Sequence, residues 1–113
     1  MHIKACGEIE AVEMGMPGAE GVTMRVVIGP AQGAKNFVMR VFEVAPGGHT
    51  PLHRHDFEHE IFIHAGRGEI IDEGATKAVE PGHVAFLAPN NEHQIRNTGP
   101  ATLVFVCVIP HRE

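Results

Sequence analysis

Apolar residues in this chain come in short runs, and none recurs at helical spacing for long enough to predict a helix. The runs cover residues 23–28, 36–44, 59–65, 68–72, 83–88, 93–97 and 101–109, and 13 glycines and 8 prolines interrupt them every eight to twelve residues or so. Short β-branched or apolar runs between Gly/Pro breaks predict strands, and their number and spacing predict an all-β sandwich or barrel. Side chains on a strand alternate faces, which assigns an inside and an outside to each run. In 59–65, His59, Ile61 and Ile63 share the inward face, whereas Glu60, Phe62 and His64, with Glu58 just before them, point out. In 93–97, His93, Ile95 and Asn97 face in and Gln94 and Arg96 face out.

The run 101–109 is apolar on both faces: Val104, Val106 and Val108 alternate with Leu103, Phe105, Cys107 and Ile109. One face fills the interior, and the other needs a second cover. A partner subunit supplies one, so a homodimer is expected. Residues 1–30 offer an alternative cover, with Met24–Ile28 pairing across the edge.

At 113 residues the chain is one domain. Its barrel core is expected over about 36–110, with N-terminal strands over about 1–30 packing on the barrel or on the partner subunit. A net charge of −5 and the lack of a Lys/Arg cluster argue against nucleic-acid partners and anionic membrane surfaces. No apolar run has signal-peptide or bilayer-spanning length, which makes the cytoplasm the expected location. Cys6 and Cys107 are expected as free thiols. By periodicity alone, Cys107 reads as a small buried hydrophobe.

His53 and His55, two apart, share one face, and His59 and His93 are both inward by parity. Four inward imidazoles without carboxylates would each need partners for two ring nitrogens, a burial cost that a shared metal removes. Imidazole is the commonest biological ligand for Zn, Cu, Fe and Ni. The metal-ligand set read from the sequence is therefore His53, His55, His59 and His93. The other histidines carry less. His64 faces out, and His2 and His111 lie near the termini. His83 occupies a turn, and His49 is read as a loop residue that could alternatively line the mouth of the site.

The segment Gly47-x5-His53-x-His55-x3-His59-x6-Gly66 resembles the first motif of the cupins, and Pro81-Gly82-His83 through Pro89-x3-His93-x3-Asn97 resembles the second. Two departures stand out. His59 takes the slot where the family pattern has Glu, and the fixed distance to Gly66 shows that Glu60 is not the same ligand out of register. The Pro89-to-His93 gap is one residue short, with Asn91 in place of a glycine; Asn tolerates the left-handed backbone of such a turn. With the all-histidine set, the run Asn36–Phe42 and the terminal Phe105–Pro110, the chain resembles the small tetra-histidine manganese cupins. The resemblance implies a jelly-roll β-barrel and one divalent transition metal per chain. Manganese is the metal implied by the resemblance, while Fe, Ni, Cu and Zn all suit the ligand set.

Four neutral imidazoles leave the full 2+ charge on a metal, which strengthens Lewis acidity and favours an anionic or enolate-like oxygen donor. In an octahedral centre, two positions stay open to water, dioxygen, peroxide or a chelating substrate. The expected pocket lining is Phe42, Ile61, Ile63, Ile95 and Phe105, which suits a small, mostly apolar or aromatic substrate. Arg40 and Cys107 are the candidate catalytic residues: Arg40, on the face of Phe42, would hold a carboxylate or peroxo group, and Cys107 would shape the pocket. An ion pair at the rim or interface is the alternative for Arg40. The leading expectation is a metal-dependent oxidoreductase of dioxygenase or peroxide-using type. The alternatives are a non-catalytic module that binds a metal-chelating small molecule, or a structural zinc centre, though structural zinc sites generally use cysteine.

Overall fold

A computed structural model describes residues 1–112. Nine strands follow in order: β1 (Val12–Glu13), β2 (Glu20–Ile28), β3 (Phe37–His49), β4 (His59–Ala65), β5 (Gly68–Asp72), β6 (Ala75–Val79), β7 (Val84–Leu87), β8 (His93–Asn97) and β9 (Leu103–Pro110). All named pairings are antiparallel, and the strand order β6-β5-β8-β3-β9-β4-β7, with β2 on the free edge of β3 and β1 on β2, curls into the half-barrel of an all-β jelly roll. Among the described residues, no helix is long and apolar enough to cross a membrane.

β3 holds the two halves of the sheet together. Its first part pairs with β9 from Phe37 to Val44, and its far end reaches β8 at His49↔Arg96. The sequence pattern predicted this strand to stop near residue 44, but it continues through Pro46-Gly47-Gly48. The bend is possible because Gly48 has no side chain: a Cβ there would lie 2.9 Å from the Ala45 carbonyl oxygen and 3.1 Å from Val44 Cγ1. Gly66, between β4 and β5, is required more strictly. Its φ is +81°, and a Cβ would collide with the Thr102 carbonyl and lie 2.8 Å from Leu103 Cα.

β6 was not legible in the sequence, because four of its five residues are exposed and no apolar alternation marks it. Its hairpin with β5 turns at Glu73-Gly74, both at positive φ, the geometry that tight two-residue hairpins favour.

Inward residues of β2, β3, β4, β5, β7, β8 and β9 meet in one core, where Phe105, Ile63, Leu103, Val22 and Val44 are fully buried. Asn97 closes one end of the core. Its Nδ2 donates to the carbonyls of Val44 and Ala101, both at 2.8 Å, and its Oδ1 accepts from Gly99 N–H at 2.9 Å. A buried amide with three partners costs little to bury and ties β8 to β3.

Residues 12–28 pack on their own barrel: β2 pairs with β3 through Met24↔Phe42 and Val26↔Arg40. They extend the sheet at its edge and leave its outer face open. There Phe62 is 46%, Val84 76% and Phe86 58% exposed, beside the half-buried Val106 and Val108.

Candidate metal centre

The four histidines arrive from three places. His53 and His55 lie in the segment between β3 and β4, His59 opens β4 and His93 opens β8. The connecting segment is tied down by its backbone. His53 and His93 exchange N–H···O=C bonds of 3.1 and 2.8 Å, and His55 C=O accepts from Asn90 N–H. Pairing backbone groups in this way lets a loop hold its histidines as firmly as a strand would.

The ligand atoms of His53, His55 and His93 lie within 4.8 Å of one another. His59 stands beside this trio, its ring centroid 5.0 Å from that of His93 and 5.1 Å from that of His55. The structure thus gathers all four expected histidines at one spot, three in a tight group and the fourth adjoining it. The Nδ1 of His59 contacts the Cys107 sulfur at 3.3 Å.

Two observations test whether these residues suit a metal. His59 is 7% exposed, and its Nε2 has no hydrogen-bond partner; the buried Nδ1 of His53 also lacks one. Unpartnered buried ring nitrogens are costly unless a cation satisfies them. The rings of His53, His55 and His59 are also held toward the neutral form, the one that ligates. Burial, reinforced by His55, His93 and Arg40, lowers His53 to about 4, and burial with His93, Arg40, His55 and His53 lowers His59 to about 3. His55 is lowered too, chiefly by burial. His93 Nδ1–H donates to the Asn91 carbonyl at 3.0 Å, which leaves its Nε2 lone pair free; such a bond orients a ligating ring. The donor set is compatible with a bound metal ion.

The histidines border a cavity of about 110 Å³. Of the residues expected there, Phe42, Ile61, Ile95, Phe105, Arg40 and Cys107 line it, and Ile63 does not. Ile63 pairs with Phe105 two residues deeper along β4 and is wholly enclosed in the core, so correct face parity put it on the right side at the wrong depth. Phe42 and Phe105 stack at 4.9 Å. Arg40 lies over the Phe42 ring at 4.9 Å and donates from Nη2 to Cys107 Sγ at 3.3 Å, while its buried Nε has no partner. Among the described residues it forms no ion pair within the chain.

Met14, Met16, Thr50, Phe57 and Leu87 also line the cavity and were missed. Met14 and Met16 precede β2 in a Gly/Pro-rich stretch with no periodicity to aim them. Phe57, inside the histidine motif, was within reach of the sequence: it stacks on both His55 and His59.

The remaining histidines behave as surface or turn residues. His64 and His83 are exposed, and His83 Nδ1 accepts from Glu80 N–H at 2.9 Å, as a carboxylate would in such a turn. His49, read from the sequence as a loop residue, instead ends β3, where the strand runs on to pair with β8; it is absent from the cavity wall and contacts the Thr50 carbonyl and Gln94. The left-handed residue in the turn before His93 is Asn90, at φ +68°, rather than Asn91, whose carbonyl is instead used to hold His93.

Comparison with known proteins identifies the fold. A polyketide cyclase, RemF, from Streptomyces resistomycificus superposes with a TM-score of 0.91 at 33% identity, over 97% of this chain and 79% of that one. A predicted oxalate decarboxylase from Thermotoga maritima gives 0.86 at 30% identity, over 98% of this chain and 100% of that one. A 1-methylthio-D-xylulose 5-phosphate methylsulfurylase from Rhodospirillum rubrum is 37% identical over 71 residues, which are 63% of this chain and 46% of that protein. The chain thus matches about half the length of that curated relative. The family model described as "Cupin domain" matches residues 40–109, and this chain belongs to the cupin family.

Proposed function

We propose that this cupin is a metal-dependent enzyme acting on a small, mostly apolar or aromatic molecule that presents an anionic or enolisable oxygen. The observation that carries the reading is the convergence of His53, His55 and His93, with ligand atoms within 4.8 Å, on a cavity whose described lining includes one guanidinium and no carboxylate. His53, His55, His59 and His93 would hold one divalent ion, manganese by resemblance, which when bound supplies Lewis acidity toward a carbonyl or enolate oxygen. Arg40, without an ion-pair partner, binds the anionic end of the substrate. Phe42, Ile61, Ile95 and Phe105 keep water out and hold the apolar body of the substrate against the histidines. The similar proteins named as a polyketide cyclase and a predicted oxalate decarboxylase support this class, since both substrate types are rich in carbonyl or carboxylate oxygen.

A second reading is oxidative, with dioxygen or peroxide as co-substrate. It is favoured by the same lack of an acidic side chain in the lining, because oxidation of a bound enolate needs no protein carboxylate as base. Incubating manganese- or iron-loaded protein with phenolic, β-diketone, alkene and polyketide-like compounds, with and without oxygen, separates the two. Turnover without oxygen supports the first reading, and turnover only with oxygen or peroxide supports the second. Ligand-induced thermal stabilisation with no product would instead leave a non-catalytic binding module.

The working form is proposed to be a homodimer, with the open face around Phe62, Val84 and Phe86 covered by a second copy. Analytical ultracentrifugation checks this, and a monomer at micromolar concentration would contradict it.

A further inference from the structure

We infer that Cys107 is a positioning residue, whose sulfur fixes the tautomer of His59 and holds Arg40 beside the histidine cluster. The inference rests on the metal-centre reading above and deepens it. Cys107 is the midpoint of the site on β9: Arg40 on β3 is its direct partner on one side and Ile61 on β4 on the other, with His59 two residues before Ile61 on the same face. From that point its sulfur meets two nitrogen groups, Arg40 Nη2 at 3.3 Å and His59 Nδ1 at 3.3 Å. A guanidinium only donates, so the first bond places a hydrogen on the sulfur's lone pairs.

The second bond has two possible directions. If the thiol donated to Nδ1, the proton of the neutral ring would sit on Nε2, which is buried and has no acceptor. If Nδ1–H donates to the sulfur, Nε2 keeps a free lone pair, in a ring whose centroid lies 5.1 Å from that of His55 and 5.0 Å from that of His93. Only the second tautomer lets His59 join a metal set with its neighbours. Sulfur suits the role because it is large and polarisable and accepts from two donors at long range, in a position that is 1% exposed. The pair repeats on β4 and β9 what the Asn91 carbonyl does for His93.

The test compares wild type with Cys107→Val, close in volume but unable to accept, and Cys107→Ser, which restores an acceptor. Titration with cobalt(II), followed by its visible absorption, is expected to show affinity falling by roughly 10–100-fold in Cys107→Val and returning most of the way in Cys107→Ser. Long-range 1H–15N spectra of the zinc-loaded wild type are expected to show His59 protonated at Nδ1. Melting curves of the metal-free proteins report whether each variant folds. Equal cobalt affinity in folded Cys107→Val, or a His59 proton on Nε2, overturns the positioning role while leaving the metal centre intact. If wild type itself binds no cobalt, the metal-centre reading fails instead.

Discussion

The ring of Phe57 lies flat on that of His55, with centroids 4.8 Å apart and 7° between the planes, and it also covers His59 at 5.3 Å. Arg112 closes the stack from outside, its guanidinium 5.1 Å from the Phe57 centroid while it donates to Asp56 at 2.9 Å. Phe57 is thus the apolar cover of two histidines on a segment with little regular structure. Phe57→Ala is expected to destabilise the metal-free protein by about 1 kcal/mol and to increase solvent exchange at the site. Phe57→Leu should recover part of the loss. Thermal denaturation checks the first expectation, and proton relaxation enhancement by bound manganese checks the second.

Arg40 has a buried nitrogen with no partner and no carboxylate beside it among the described residues, an arrangement costly for folding but ready for an anion. Arg40→Met should weaken binding of a small carboxylate such as oxalate to the metal-loaded protein by roughly 10–100-fold, the worth of a charged hydrogen bond. It should leave metal content unchanged and the melting temperature equal or higher. Isothermal titration with oxalate, run beside a metal assay, reads both.

The histidine cluster sets the acid limit of the metal-free fold. His53 and His59 take up protons near pH 4 and 3 in the folded protein, against an ordinary value of 6.5, chiefly because they are buried. Between about pH 6.5 and 4 the unfolded chain therefore binds more protons than the folded one, and stability drops as the pH falls through that window. Above it these rings are neutral in both states and contribute no further slope. Urea unfolding of metal-free protein at pH 7.5, 6 and 5 should show midpoints in descending order. His53→Gln should flatten the trend, and an unchanged midpoint across the series would contradict this account.

Much of this was legible in the chain because burial is periodic in strands. Parity alone placed His59, Ile61, His93, Ile95 and Asn97 inward, and each is buried. Parity carries no depth, so Ile63 was placed in the cavity although it belongs to the core beneath. Nor does it reach residues outside strands: Met14 and Met16 touch the cavity from a segment whose direction is set by tertiary contacts, and the exposed β6 left no apolar trace. The partnership of Arg40 with Cys107 depends on the β3–β9 register, which the sequence does not encode locally.

Gly66 is the most direct test of the fold around the site. Gly66→Ala introduces a Cβ at φ +81° against the Thr102 carbonyl and Leu103 Cα. A loss of about 2 kcal/mol or more is expected from the strained backbone and the clash. Gly74→Ala also falls at positive φ, but with open space around its Cβ, and should cost less. Chemical denaturation of the two variants gives the comparison.

His53, His55, His59 and His93 are proposed to hold one metal ion together. X-ray absorption spectroscopy with elemental analysis, on protein purified without chelators or an added histidine tag, tests it most directly. The expected result is about one divalent transition metal per chain, coordinated by four imidazole nitrogens and additional light atoms, with loss of one imidazole in His93→Gln. Metal well below one per chain even after reconstitution, or a shell unaffected by His93→Gln, would contradict it.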